Sequence, residues 1–279
     1  MKTAKTVMEV RSYVKTWKAE GKTIGLVPTM GFLHQGHGSL IKKAVEENDI
    51  VIVSDFVNPI QFGPGEDLES YPRDFEADKK LCERLGADLI FHPEPEEMYD
   101  KPCTAVDMTV LSDGLCGSKR PGHFRGVCTV VSKLFNITKA DRAYFGQKDA
   151  QQLFIIKKMV ADLNFDIEIV GCPIIREEDG LAMSSRNSYL SEEERKAALC
   201  LYKAVKRGME IITKNMPAAT LIEAMTAVIE NEPMARIDYI SVVDLEELKE
   251  LKSIDKPALV AMAVYIGKTR LIDNFLYEL

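Results

Sequence analysis

Histidine is scarce in this 279-residue chain: His34, His37, His92 and His123 are the whole set. No run approaches the ~20 apolar residues that a membrane-spanning helix requires, so none is expected. The first 17 residues are charged throughout and lack an apolar centre, so no secretory signal is expected either. The six cysteines (Cys82, Cys103, Cys116, Cys128, Cys172 and Cys200) form no C-x-x-C pair. A chain this long needs no disulfide staples, and reduced thiols in the cytoplasm are the expectation. A basic excess is also missing. Lys and Arg number 36 against 43 Asp and Glu, a formal charge of −7, which argues against a nucleic-acid partner or a membrane surface. A small anionic ligand is compatible with that balance, because a local cationic pocket can sit on an acidic surface.

Several catalytic signatures fail as well. Gly21-Lys22-Thr23 and Gly267-Lys268-Thr269 resemble the end of a phosphate-binding loop, but the glycine required five positions earlier is Thr16 or Met262. Gly36-His37-Gly38 lacks the third glycine of a dinucleotide fingerprint, since Ile41 stands there. There is no G-x-S-x-G elbow and no H-E-x-x-H zinc helix.

What is present is an alternation of strand and helix. Short, apolar, β-branched runs at 22–30, 49–57, 87–93, 141–146 and 165–173 read as buried strands. Helical patterns lie between them at 36–48, 75–85, 125–139 and 149–163, with Asp74 as N-cap and Gly86 as stop for the second. This order predicts a doubly wound parallel sheet with helices on both faces, over residues 1–175. From 176 the texture changes. Ser191 and Glu194 form a capping box for one long helix to about Asn215, Pro217 starts another, and three strands follow. Residues 176–279 therefore read as a smaller α+β domain.

The most informative stretch is Pro28-Thr29-Met30-Gly31-Phe32-Leu33-His34-Gln35-Gly36-His37. Half of the histidines fall within four residues, after the first long strand and at the start of its helix. Such loops lie at the ligand-binding edge of parallel sheets. Helix N-termini favour anions, and residues at i and i+3 can point the same way. Nucleotide phosphates suit this site. A zinc reading has no supporting Cys/His spacing, and no metal ligand is assigned. A second stretch, Leu181-Ala182-Met183-Ser184-Ser185-Arg186-Asn187, offers hydroxyls and a guanidinium fork to phosphate oxygens.

His34-Gln35-Gly36-His37 resembles the HIGH element of the nucleotidyltransferase superfamily, and Met183-Ser184-Ser185-Arg186 its relaxed KMSKS counterpart. Three more stretches narrow the resemblance: Asn58-Pro59-Ile60-Gln61-Phe62-Gly63 with Tyr71-Pro72-Arg73, Arg120-Pro121-Gly122-His123-Phe124, and Phe145-Gly146-Gln147-Lys148-Asp149-Ala150-Gln151-Gln152. Together, in this order over nearly the whole chain, they resemble the pantoate–β-alanine ligases. The pattern departs from the wider superfamily at Ala182 and Ser185, where lysines are usual. It also departs at Gln147, where an acidic residue is familiar.

The resemblance implies a Rossmann-like domain and a smaller C-terminal lid. It implies adenylation of pantoate by ATP, with Mg²⁺ accompanying the nucleotide, and then attack of β-alanine on the acyl adenylate. His34 and His37 would contact ATP phosphates, with His37 as the acid. Lys148 would bridge phosphate and carboxylate, and Asp149 would hold the ribose. Gly146 and Ile175 would offer backbone to the nucleotide, while Met30, Met183, Ser184, Ser185 and Arg186 complete its site. Gln61, Gln152 and Asn58 would bind pantoate or β-alanine, with Met30 beside the gem-dimethyl group. A homodimer is expected from the same resemblance. The turn at 62–67 is expected to gate the site. Other readings are an adenylyltransferase acting on a phosphate acceptor and a non-catalytic nucleotide sensor. Neutral Gln61 and Gln152 speak against the first, and the cationic set against the second.

Overall fold

A computed structural model describes residues 1–278. Its first part runs β1 (Lys2–Ala4), α1 (Val7–Ala19), β2 (Ile24–Thr29), α2 (Gln35–Glu47), β3 (Ile50–Asp55), α3 (Phe75–Leu85), β4 (Leu89–Phe91), α4 (Pro95–Met98), α5 (Leu115–Lys119), α6 (His123–Thr138), β5 (Arg142–Gly146), α7 (Ala150–Asp162) and β6 (Glu168–Cys172). There follow α8 (Glu192–Ala197), α9 (Leu199–Ile211), α10 (Ala218–Glu230), β7 (Ala235–Asp244), β8 (Ala258–Ile266) and β9 (Thr269–Tyr277). No described helix is long and apolar enough to cross a membrane.

Strands β1 to β6 form one parallel sheet in the order β1-β4-β3-β2-β5-β6. From β2 the chain moves outward through β3 and β4, and later returns to β5 on the other side of β2. The strand order thus reverses between β2 and β5. The loops after these two strands leave from the edge where open α/β sheets bind ligands. Val27, Val51, Val53 and Ile90 bury one face against Leu40, Ile41 and Ala44 of α2 and Cys82 of α3. Their sheet neighbours Leu26 and Ile52 are fully buried too. Helix α6 packs on β2 and α1 on α6, so apolar side chains are withdrawn from water on both faces.

The chain divides into two compact units. The first comprises Met1–Thr109, Arg120–Gln147 and Gln152–Pro173, and the second Val110–Lys119, Lys148–Gln151 and Ile174–Leu279. In the second, β7, β8 and β9 form an antiparallel sheet. Leu201, Ala204 and Val205 of α9 and Leu221, Met225 and Ile229 of α10 share a core with Val260, Met262 and Val264 of β8.

Two local details differ from the sequence reading. The single helix expected from Ser191 to about Asn215 is two, α8 and α9, and ends at Ile211. The Ser191–Glu194 capping box starts α8 as expected. At Ala198 the ladder tightens, with Leu201 N–H donating to Ala198 O at 3.2 Å, a bond one residue shorter than the α-helical one. The charged N-terminal stretch also folds. Thr6 and Glu9 make a reciprocal capping box, and Val10, Val14 and Trp17 bury one stripe of α1.

Candidate active site

The loop after β2 is shaped by two buried carboxylates. Gly31 has φ of 76°, and a Cβ there would lie 2.4 Å from Asp55 Oδ1. The Asp78 carboxylate accepts the N–H groups of Phe32 and Leu33, each at 2.6 Å. Residue 34 then enters α2 as its N-cap, with extended backbone. His34 Nδ1 accepts the N–H of Gly36 at 3.1 Å, and His37 Nδ1 accepts the N–H of His34 at 3.3 Å. The pair forms a capping box made of imidazoles, with ring centroids 4.1 Å apart. A ring nitrogen that accepts a hydrogen bond carries no proton, so both rings hold theirs on Nε2. Two imidazoles are thus set together at a helix N-terminus, where peptide dipoles already favour an anion.

The loop after β3 holds a second polar set in the same unit. Asn58 is 1% exposed and Gln61 7%, on a tight turn that Gln61 ends. Asn58 Nδ2 donates to Gln61 Oε1 at 2.9 Å and to Gly126 O at 3.1 Å, and Tyr99 Oη donates to Asn58 Oδ1 at 2.8 Å. Gln61 Nε2 faces Met30 Sδ at 3.0 Å. Gln61 O is bonded by His123 Nδ1 at 2.9 Å, and Arg120 Nη1 lies 3.1 Å from His123 Nε2. Arg120 also grips Glu66 with two bonds of 2.7 Å, and Glu66 accepts the N–H of Gly63 at 3.2 Å. The turn proposed as a gate is therefore tied at Glu66.

Gly146 and Gln152 belong to the first unit, and the second carries Lys148, Asp149, Ile175, Met183, Ser184, Ser185 and Arg186. Arg176 and Ala182 pair across a narrow hairpin, where Met183 N–H donates to Ile175 O at 3.0 Å. Ile175 and Met183 are thereby held opposite one another. Arg176 anchors this hairpin through two bonds to Asp273, at 2.7 and 2.9 Å. Ser184 caps a short 3-10 turn, its hydroxyl accepting Arg186 N–H at 3.3 Å, and Ser185 is buried. Lys148 O accepts from Asn274 Nδ2 at 2.9 Å, and Lys148 Nζ lies 3.6 Å from Asp149 Oδ2.

A pantoate–β-alanine ligase family model matches residues 2–276. The chain belongs to the pantoate–β-alanine ligase family. It is 61% identical over 277 residues to the pantothenate synthetase of Ruminiclostridium cellulolyticum, covering 99% of this chain and 98% of the relative. It is 59% identical over 281 residues to that of Clostridium acetobutylicum, covering 98% of each. A pantothenate synthetase crystal structure from Thermus thermophilus superposes with TM-score 0.93 at 44% identity, covering 99% of both chains. A Francisella tularensis pantoate–β-alanine ligase, complexed with β,γ-ATP and β-alanine, superposes with TM-score 0.83 at 35% identity, covering 99% of this chain and 97% of that one. Members of the family join pantoate to β-alanine, and this chain is such a ligase.

Within this ligase the two adjacent glutamines separate cleanly. Gln151 is 6% exposed and is spent on backbone: its Nε2 donates to Leu111 O and Gly114 O, each at 2.9 Å, and its Oε1 accepts Gly117 N–H. Gln152 is half-buried and carries none of these bonds. His92 is structural: its Nδ1 lies 2.9 Å from Asp55 O, and its ring stacks on Phe75. Asp55, Asp78 and Tyr99 are absent from the sequence reading as site residues, and Glu66 enters it only as part of the turn at 62–67. A signal existed for Asp78. It shares a stripe with Phe75, Cys82 and Leu85, so a carboxylate occupies a core position of an amphipathic helix.

Burial pushes Asp78 up to about 6, opposed by its two backbone hydrogen bonds and reinforced by Asp55. Below the unfolded carboxylate value both states are protonated. As pH rises from about 4 to about 6 the unfolded chain ionises first, so folding loses stability, and the loss persists above that window. Asp78→Asn does not titrate. Urea unfolding is expected to show wild type weakening against this variant by at most about 3 kcal/mol across that range. A pH-independent difference would refute the assignment.

Proposed function

We propose that the ligase works in two steps through a pantoyl adenylate. A pantoate carboxylate oxygen attacks the α-phosphorus of ATP and pyrophosphate leaves. The β-alanine amine then attacks the acyl carbon, loses a proton, and displaces AMP. A carboxylate is a poor electrophile and repels a triphosphate, so the first step needs donors and cations where charge develops. The observation that carries this reading is the His34–His37 capping box, which sets two imidazoles together at a helix N-terminus. These groups are assigned to ATP phosphates, with His37 as the acid toward the departing pyrophosphate. Lys148 and Arg186 supply charge, with Lys148 bridging phosphate and carboxylate. Asp149 takes the ribose, and Gly146 and Ile175 offer backbone to the nucleotide. Met30, Met183, Ser184 and Ser185 line its site, the Ser184 hydroxyl doing so from its capping position. Gln61, Gln152 and Asn58 take the pantoate side, with β-alanine adjoining. ATP would enter as its Mg²⁺ complex, the ion supplying charge neutralisation that Lys148 and Arg186 add to.

The Francisella ligase is complexed with an ATP species and β-alanine, which supports the same substrates here. The resemblance also supports a cytoplasmic homodimer, for which sedimentation is the check. The decisive experiment is exchange of labelled pyrophosphate into ATP. Exchange that requires pantoate, followed by AMP release on adding β-alanine, is the expected result. Folded protein that catalyses no pantoate-dependent exchange would overturn the adenylate route.

A further inference from the structure

Amide side chains are ambiguous partners, because either end can face a ligand. In this structure the ambiguity is removed by the chain itself. Gly126 O is a backbone carbonyl and can only accept, so the Asn58 atom 3.1 Å away must be the amide nitrogen. The second hydrogen of that nitrogen goes to Gln61 Oε1 at 2.9 Å. Asn58 Oδ1 then faces Tyr99 Oη at 2.8 Å and needs a donor, which the phenol supplies. Burial holds the phenol firmly in its protonated, donating form. With Oε1 engaged, Gln61 turns Nε2 outward toward Met30 Sδ, a weak acceptor that a substrate oxygen readily replaces.

We infer that Tyr99 is a positioning residue that, through Asn58, sets Gln61 to present its N–H₂ end to the substrate. The site so built selects an oxygen that accepts, carboxylate or hydroxyl, and disfavours a ligand that can only donate there. The Tyr99 hydroxyl is engaged by Asn58. The residue is delivered by α4, its N–H donating to Pro95 O at 2.8 Å, and its ring lies 6.2 Å from Phe56. His123 fixes the backbone of the same glutamine separately, through Gln61 O. The inference rests on the reading that Gln61 contacts pantoate, and the test separates the two.

The variants are Tyr99→Phe, Gln61→Ala and the double mutant, assayed by steady-state kinetics and thermal melting. Phenylalanine keeps the ring and its packing but leaves Asn58 Oδ1 without its donor, so the melting temperature is expected to fall by only a few degrees. Tyr99→Phe is expected to raise the KM for pantoate about tenfold, with the KM values for ATP and β-alanine changed by less than about twofold. In the Gln61→Ala background the same change should have no further effect on pantoate, because the group it orients is gone. A wild-type pantoate KM in Tyr99→Phe, with a raised one in Gln61→Ala, overturns the relay and leaves the pantoate reading standing. An equal Tyr99→Phe effect with and without Gln61 assigns Tyr99 a structural role and also overturns the relay. A wild-type pantoate KM in Gln61→Ala overturns the underlying reading and the relay with it.

Discussion

Lys148→Ala is expected to slow pantoate-dependent pyrophosphate exchange by ~10²–10³ while leaving the fold intact. The backbone argues for a clean variant. The turn that carries Lys148 is held through its carbonyl, which accepts from Asn274 Nδ2, so truncating the side chain leaves that bond in place. The ammonium is held more loosely. Its partner Asp149 Oδ2 is 3.6 Å away, beyond a good hydrogen bond, so the Nζ can move to a phosphate without a large loss. The side chain is also only 20% exposed, which limits the water that would screen a charge there. Lys148→Arg keeps the charge but changes its shape and reach, and is expected to recover part of the rate. A wild-type exchange rate in Lys148→Ala would remove the residue from the adenylation step.

Gly126→Ala is the second large effect, and it acts by packing. A Cβ at this position of α6 would lie 2.5 Å from Ile60 O, 2.6 Å from Gln61 Cα and 2.7 Å from Gln61 N. These are backbone atoms of the turn that carries Gln61, so no side-chain rotation relieves the clash. Either α6 or the turn must shift. Overpacking of this kind costs about 3 kcal/mol, and the melting temperature is expected to fall by about 5–10 °C. The shift also breaks the bond from Asn58 to Gly126 O, so surviving protein should show a raised KM for pantoate. Wild-type melting with wild-type pantoate KM would show that the turn does not depend on this contact. The adjacent Thr129→Ser, which keeps a hydroxyl able to bond Arg125 O and Val106 O, serves as a mild control on the same helix.

Much of this architecture is readable without coordinates because its signals are local. The strand at Ile50–Asp55 is a short β-branched run, and Asp74 and Gly86 bracket α3 as cap and stop. The Ser191–Glu194 box begins α8 where the spacing places it, although the helix then breaks at Ala198. Helix α1 carries a quieter signal: Thr6 and Glu9 have capping-box spacing, hidden among charged residues. The family motifs are likewise contiguous, and the match over residues 2–276 agrees with them.

The less legible part depends on distance along the chain. Asp78 bonds backbone 45 and 46 residues away, and Tyr99 orients an asparagine 41 residues upstream. No periodicity encodes such pairs, because they exist only once the loops after β2 and β3 have been brought against α3 and the end of α4. Gln151 and Gln152 show the same limit at closest range. They are neighbours of one type in one helical turn, and only the packing around the loop at 111–117 decides which is consumed by backbone.

By itself, then, the sequence determined the strand–helix alternation, the ligase family and the segments that bear its chemistry, since each is written in spacing a few residues long. The tertiary structure decided the orientation of the Gln61 amide, the burial of Asp78 and which of Gln151 and Gln152 is spent on backbone. Those follow from which donor meets which acceptor, and that is settled only where distant backbone and side chains are packed out of water.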